Sequence, residues 1–343
     1  LLELVPAALP GEAGTPATPR RGWRLSPAQQ RYARGAAAVV VLGLVAVGVS
    51  RWPSAAPGGS SSVPKAVEVQ LPPLIALKVQ ARFGSEGGGQ GQLHDPRDVA
   101  VDPAGNIYVA DTGNKRISKF KPDGSLAAGW SESAKGALVE PSSVAVALDG
   151  LIVDDSEAAQ LHKYDFDGKP VPGFEHDLAL SHPRGIAVAP NGTIYVGDTA
   201  NNRILRVASE GAPLGAFDTK GVKLEQPTGV AVDEQGSIYS IEPAASRIQK
   251  FAADGTLQAH LYLPQAVTVY PPRGIWIPGR GLTVSLPEQN ELLTYSDTGV
   301  PQATFAPEGP AALRPLGLAL APDRRSVWVV WGATAGLTQL LWP

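Results

Sequence analysis

The sequence predicts an all-β protein, a six-bladed β-propeller whose last blade is closed by an N-terminal strand, preceded by one transmembrane α-helix. Three observations lead there. A Pro followed by an alternating apolar run recurs at Pro96, Pro141, Pro183, Pro227, Pro272 and Pro315, at intervals of 45, 42, 44, 45 and 43 residues. Repeats of that length indicate a propeller or a solenoid. Within each unit four short β-like runs alternate with turn residues, and four antiparallel strands make one blade. Ahead of the repeats lies a sixteen-residue stretch without a charge, Gly35 to Ser50.

Composition is compatible with this plan. With 43% apolar and 18% charged residues the chain can bury a large core, and 38 Gly and 32 Pro interrupt it too often for long helical bundles. The absence of Cys excludes disulfide frameworks, thiolate metal sites and cysteine nucleophiles. The overall charge of -3 is divided: residues 1–71 carry seven Lys or Arg against three Glu, a net of +4, which leaves -7 on the other 272 residues. An acidic main body is a poor partner for nucleic acid, whose binding depends on neutralising phosphates, so no nucleic-acid role is expected.

Residues 1–33 are expected to be a cytoplasmic Pro/Arg-rich tail, 34–51 a transmembrane helix, 52–72 a Pro/Gly/Ser linker and 73–343 the propeller. Gly35–Ser50 (GAAAVVVLGLVAVGVS) covers about 24 Å as a helix, short of the ~30 Å hydrocarbon core. Its flanks extend it: Tyr32 and Trp52 suit the interface, and Arg31, Arg34 and Arg51 can run their stems along the apolar zone. Five Arg precede the stretch and one closely follows, which by the positive-inside rule leaves the N-terminus cytoplasmic and the propeller extracytoplasmic. A cleaved signal peptide ending near Ser54-Ala55-Ala56 competes, but its 34-residue leading region is long and Pro57 follows at once. A buried soluble helix is disfavoured because no amphipathic face exists. Gly35, Ala36, Ala37, Gly43, Ala46 and Gly48 would let a second helix approach closely, as in a larger membrane assembly.

In the first repeat the strands are expected at Asp98–Asp102, Ile107–Asp111, Arg116–Lys121 and Ser125–Trp130, separated by the turns Pro103-Ala104-Gly105-Asn106, Thr112-Gly113-Asn114 and Pro122-Asp123-Gly124. The sixth repeat supplies three strands, Leu316–Ala321, Ser326–Val330 and Gly336–Trp342. Its fourth is expected from Leu74–Phe83 (LIALKVQARF), which would close the ring and cover two edges prone to aggregation.

The runs PRDVAVDPAGNIYVADTGNKRISKFKPDG from Pro96, PRGIAVAPNGTIYVGDTANNRILRV from Pro183 and PTGVAVDEQGSIYSIEPAASRIQKFAADG from Pro227 closely resemble the NHL-repeat family of β-propellers. The resemblance covers about residue 75 to the end. The second repeat departs from it with Ala158-Ala159-Gln160 in place of Asn-x-Arg, and the fifth and sixth are degenerate at Gly279-Arg280-Gly281 and Asp323-Arg324-Arg325. The resemblance implies a channel around which the residue after each repeat Pro is placed to form a site. Some propellers that resemble this one are enzymes. Those similar to the peptidyl-glycine lyase bind zinc through histidines at these positions, and none of the six is His here. Those similar to gluconolactonase use an acidic, Asn-rich metal cluster that cannot be assigned to residues of this chain.

The six positions hold Arg97, Ser142, Arg184, Thr228, Arg273 and Leu316. Arg97, Arg184 and Arg273, on alternate blades, form the candidate ligand site, since guanidinium forks around an axis suit a small carboxylate, sulfate or phosphate. The plainer reading pairs each with a neighbouring acid such as Asp95, Asp98 or Glu140. Asp95, Glu140 and His182, just before three successive prolines, have metal-ligand chemistry, but the adjacent arginines would repel a cation. The sequence contains no HExxH, GxSxG or phosphate-loop pattern, and Asp111 with Arg116, like Asp198 with Arg203, reads as structural. No catalytic residue, metal or cofactor is expected. The expected role is a membrane-anchored binding or assembly module, a subunit of a membrane complex with a small anionic ligand as a further partner. The alternative is the exported domain of an enzyme: a metal-dependent hydrolase or lyase, or an appendage of a multi-span membrane enzyme.

Overall fold

A computed structural model describes residues 71–127, 138–264, 270–307, 314–332, 334 and 336–342. The expected transmembrane segment lies outside them. Among the described residues no helix is long and apolar enough to cross a membrane. One compact unit runs from Val69 to Pro343.

The chain opens with β1 (Leu74–Phe83). Blade one contains β2 (Pro96–Val101), β3 (Ile107–Asp111) and β4 (Arg116–Phe120), and blade two β5 (Pro141–Ala147), β6 (Gly150–Asp155) and β7 (Gln160–Tyr164). Blade three has β8 (Pro183–Val188), β9 (Ile194–Asp198), β10 (Arg203–Val207) and β11 (Pro213–Ala216). Blade four has β12 (Gly229–Val232), β13 (Ile238–Glu242), β14 (Arg247–Phe251) and β15 (Leu257–Tyr262). Blade five has β16 (Gly274–Ile277), β17 (Gly281–Leu286), β18 (Glu291–Tyr295) and β19 (Pro301–Pro307). Blade six has β20 (Pro315–Leu320), β21 (Ser326–Trp331) and β22 (Gly336–Leu341). The fourth run of blades one and two is reduced to single bridges, Phe120 to Leu126 and Tyr164 to Pro170. The expected fourth strand of blade one would extend to Trp130, beyond the described residues.

The alternation of side chains along each inner strand builds the ring, because successive residues face opposite sides of a blade. In β2, Val99 packs with Leu316, Trp328 and Val330 of blade six, while its neighbour Ala100 packs with Val144, Leu151 and Val153 of blade two. Equivalent cores join blades two to three, three to four, four to five and five to six. The inner strands β2, β5, β8, β12, β16 and β20 therefore form a closed circle, each touching the next and the last touching the first.

β1 does what was expected and one thing more. Lys78–Phe83 pairs antiparallel with β22, supplying the fourth strand of blade six. Leu74–Leu77 pairs parallel with Thr304–Pro307 of β19, so blades five and six share one eight-stranded sheet. The change of partner falls between Leu77 and Lys78, and the pairing with β22 carries a register shift between Val79 and Ala81.

The charged repeat residues fix the loops that lead into the inner strands. Asp111 is fully buried, accepts the His94 backbone N–H at 2.7 Å and receives Arg116 Nε at 2.7 Å. Asp198 repeats this with Ser181 N–H and Arg203 Nε, and Glu242 with Glu225 N–H and Arg247. Thr112 and Thr199 donate to the carbonyls of Pro141 and Pro227 in the next blade, at 2.6 and 2.8 Å. Blade two lacks the arginine. There Asp155 takes the Val139 and Glu140 N–H groups directly, at 2.7 and 2.8 Å. Lysines of the third strands tie neighbouring blades: Lys119 reaches Phe166 O, Lys163 reaches Ser209 O and Lys250 reaches Asp297 O.

Candidate functional site

A central channel of about 230 Å³ runs through the ring and is lined by all six inner strands. Its two ends differ. At one end lie Asp98, Ser143 and Arg273 with the glycines 185, 229 and 274. At the other stand Val101, Val146, Val188, Val232, Trp276 and Leu320, one half-buried apolar side chain from each blade. Between them the wall is Val, Ile, Leu and Ala.

The polar end is built around Arg273, which is 7% exposed. Its Nη1 donates to Thr228 O of blade four at 2.7 Å and its Nη2 to Ser142 O of blade two at 3.0 Å. Blade two stands opposite blade five in a ring of six, so the guanidinium lies across the axis. Small residues make that crossing possible. A Cβ on Gly185 would stand 2.8 Å from the Thr228 oxygen and 3.0 Å from Arg273 Nη1. The Arg273 backbone is held by its own N–H to Ser285 Oγ at 2.9 Å.

Two buried carboxylates face this cation. Asp98 accepts Ser143 Oγ at 2.6 Å, Val99 N–H at 2.9 Å and Val144 N–H at 3.2 Å. A Cβ on Gly317 would lie 2.5 Å from its Cα, so blade six closes tightly over it. Asp154 accepts Ser142 Oγ at 3.0 Å through one oxygen, while the other has no partner. Burial pushes the pKa of Asp98 up against the pull of Arg273, and pushes that of Asp154 up to about 7. Burial in turn lowers that of Arg273; Asp98 and Asp154 oppose the fall, and Arg184 and Arg97 add to it.

Arg97 and Arg184 thus lie within electrostatic reach of Arg273, but the three arginines singled out by the repeat have separate environments. Arg97 sits between two acids, bonded to Glu140 and, at 3.2 Å, to Asp95. Here the plainer expectation holds, except that Asp98 faces Arg273 instead. Arg184 is half-buried and has neither hydrogen bond nor ion pair among the described residues. Of the proposed metal-ligand trio, Asp95 and Glu140 are both taken by Arg97 and His182 is exposed. Among the described residues no group of three or more His, Cys, Asp or Glu is arranged to hold a metal ion. Sequence reasoning missed Asp154. The doubled acid Asp154-Asp155, where repeats one, three and four carry a single one and repeats five and six carry none, was the available signal.

Comparison with known proteins agrees with this architecture. Residues 93–120 and 180–206 match the NHL repeat. Protein brain tumor of Drosophila melanogaster is 32% identical over 156 residues, covering 43% of this chain and 15% of that protein. The peptidylglycine alpha-amidating monooxygenase of Rattus norvegicus is 32% identical over 143 residues, 37% of this chain and 14% of the enzyme. The chain thus spans about a seventh of the length of these curated relatives. Among solved structures, a chain of a nidogen/laminin complex superposes with a TM-score of 0.55 at 17% identity, covering 68% of this chain and 88% of that one. The fold and the matched segments define the class: this chain carries NHL repeats on a β-propeller.

Proposed function

We propose that the chain is a membrane-anchored binding module in which residues 34–51 span the cell membrane and the propeller, on the extracytoplasmic side, docks another subunit of a membrane complex. The observation that carries the binding role is the use of the repeat charges. Asp111 with Arg116, Asp198 with Arg203 and Glu242 with Arg247 hold loops in place, leaving a rigid closed ring with a loop surface at each end of the channel. A propeller of similar fold occurs in a complex of nidogen with laminin, which supports protein docking as a use of this scaffold. Arg184, without an acid beside it, is the natural contact for an acidic segment of the partner.

Because the native chain has no Cys, single cysteines report topology cleanly. In intact cells a membrane-impermeant maleimide should label Ser61→Cys but not Ala17→Cys. Labelling of both or of neither contradicts the proposed orientation. Arg184→Glu should reduce a partner that co-purifies with the detergent-solubilised wild type by roughly tenfold, about 1.4 kcal/mol. Unchanged recovery would remove Arg184 from the interface.

A further inference from the structure

Apolar side chains left in water gather at one place on the rim of the propeller. Among the described residues seven large apolar side chains are exposed. Val139, Leu148 and Leu214 stand singly on blades two and three, as scattered apolar residues do on any protein surface. The other four, Leu74, Ile75, Tyr262 and Val300, are 41 to 56% exposed and border the seam between the outer strands of blades four and five. Leu74 and Ile75 of β1 pair with Thr304 and Phe305 of β19. Just before them Pro72 O accepts Thr304 Oγ1 at 3.3 Å, and Leu71 packs on the core shared by blades four and five, which contains Leu261 and Tyr295. The Tyr295 hydroxyl crosses the seam to Tyr262 O, and a Cβ on Gly299, next to Val300, would stand 2.9 Å from Leu261 Cγ. Contacts thus run unbroken from β1 through the turn at Val300 to the end of β15.

β1 continues this rim onto blade six with a different chemistry. There Lys78, Gln80 and Arg82 are exposed, alternating with the partly buried Val79, Ala81 and Phe83. Neither Lys78 nor Arg82 has an ion pair among the described residues. The turn at Val300 carries one exposed acid, Asp297. Aliphatic and tyrosyl side chains beside unpaired cations suit the interfacial zone of a bilayer: the apolar groups enter between the headgroups, and the cations meet lipid phosphates. The path of the chain brings that surface near. Residues 52–72 join the apolar stretch Gly35–Ser50 to β1, and a random coil of that length reaches about 25 Å. With the stretch in the membrane, the point where the chain enters the fold is the part of the propeller held nearest the bilayer. That point is this seam.

Resting on the membrane-anchored reading above, we propose that the propeller lies with the seam of blades four and five against the extracytoplasmic leaflet of the lipid bilayer. Leu74, Ile75, Tyr262 and Val300 enter the interfacial zone, and Lys78 and Arg82 meet headgroup phosphates. The channel axis then runs along the membrane plane, and both loop faces stay open to the partner subunit.

The test uses the full chain, which has no native Cys, reconstituted in vesicles of phosphatidylcholine and phosphatidylglycerol. The same small environment-sensitive dye is placed on Leu74→Cys, Val300→Cys, Leu148→Cys or Leu214→Cys. Phosphatidylcholine spin-labelled near its headgroup should quench most of the emission at positions 74 and 300, which should also be shifted to the blue. The dye at 148 and 214 should stay near its emission in vesicles without spin label. Because all four carry the same dye, its own affinity for lipid cannot produce the difference. A dye at 74 or 300 that is quenched no more than those at 148 and 214 overturns the proposal, and leaves the anchor intact if the chain resists carbonate extraction. A chain that carbonate strips from the vesicles overturns the anchor and this inference with it. Shielding at 74 and 300 that appears only after a co-purified subunit is added would assign the seam to a protein and overturn the lipid contact.

Discussion

Where the second strand of a blade pairs with the second residue after the repeat Pro, blades one, three, four and five have Ala110, Gly197, Ile241 and Val284, whereas blade two has Asp154. Its carboxyl is pushed up to about 7 by burial. The folded protein therefore keeps this proton to near neutrality, whereas the unfolded chain releases it near the ordinary aspartate value of ~4. With the folded state binding the extra proton, stability from this group is complete below ~4, falls as pH rises toward 7 and levels off above. Asp154→Asn should accordingly stabilise the protein by about 1–3 kcal/mol at pH 8, and by much less at pH 4. Urea unfolding at both values checks this; an equal difference at both would contradict it. Gly185 offers a second residue-scale test. Gly185→Ala forces a methyl against Thr228 O and Arg273 Nη1 and should cost about 1–3 kcal/mol by urea unfolding, while an unchanged midpoint would mean that the crossing arginine yields easily. The sequence indicated Arg273 by its place after the repeat Pro, but not that its guanidinium would cross the axis. That depends on Gly185, in another repeat, leaving room.

At the scale of strands, the pairing of small with large residues repeats around the ring. Ala100, Ala187, Ala231 and Ala319 stand opposite Tyr108, Tyr195, Tyr239 and Trp328, and blade five inverts the order with Trp276 opposite Leu282. Trp276 then stacks on Tyr239 of blade four, with ring centroids 5.8 Å apart. Such compensation keeps the wedge between blades filled even where the repeat is degenerate, which is why blade five forms despite its altered turn. The limits of β1 were legible from its alternating residues and from the missing strand of blade six. Its parallel pairing with β19 was not, because no local turn joins Leu74–Leu77 to Thr304–Pro307 and nothing in either segment announces the other. Removing residues 1–84 takes away a strand that covers both β22 and β19, whereas removing 1–64 spares it. Light scattering and size exclusion should find the shorter protein aggregated and the longer one soluble. Two equally soluble products would show that β1 does not close the ring.

Over the whole molecule, the period of the prolines revealed six units, and the structure adds that their inner strands meet in a circle sealed by six shared cores. The class of scaffold could be read early because the pattern recurs at each blade. The site could not, since Arg273, Asp98, Asp154 and Gly185 belong to four different blades and gain meaning only when the ring brings them together. If this scaffold is a docking module carried on a membrane anchor, native mass analysis of the protein purified from membranes in mild detergent should find a stable species heavier than the 35.7 kDa chain, containing a second, stoichiometric subunit that is lost when Arg184 is changed to Glu. A monodisperse 35.7 kDa protein with no partner, at concentrations where the membrane complex should persist, would contradict it.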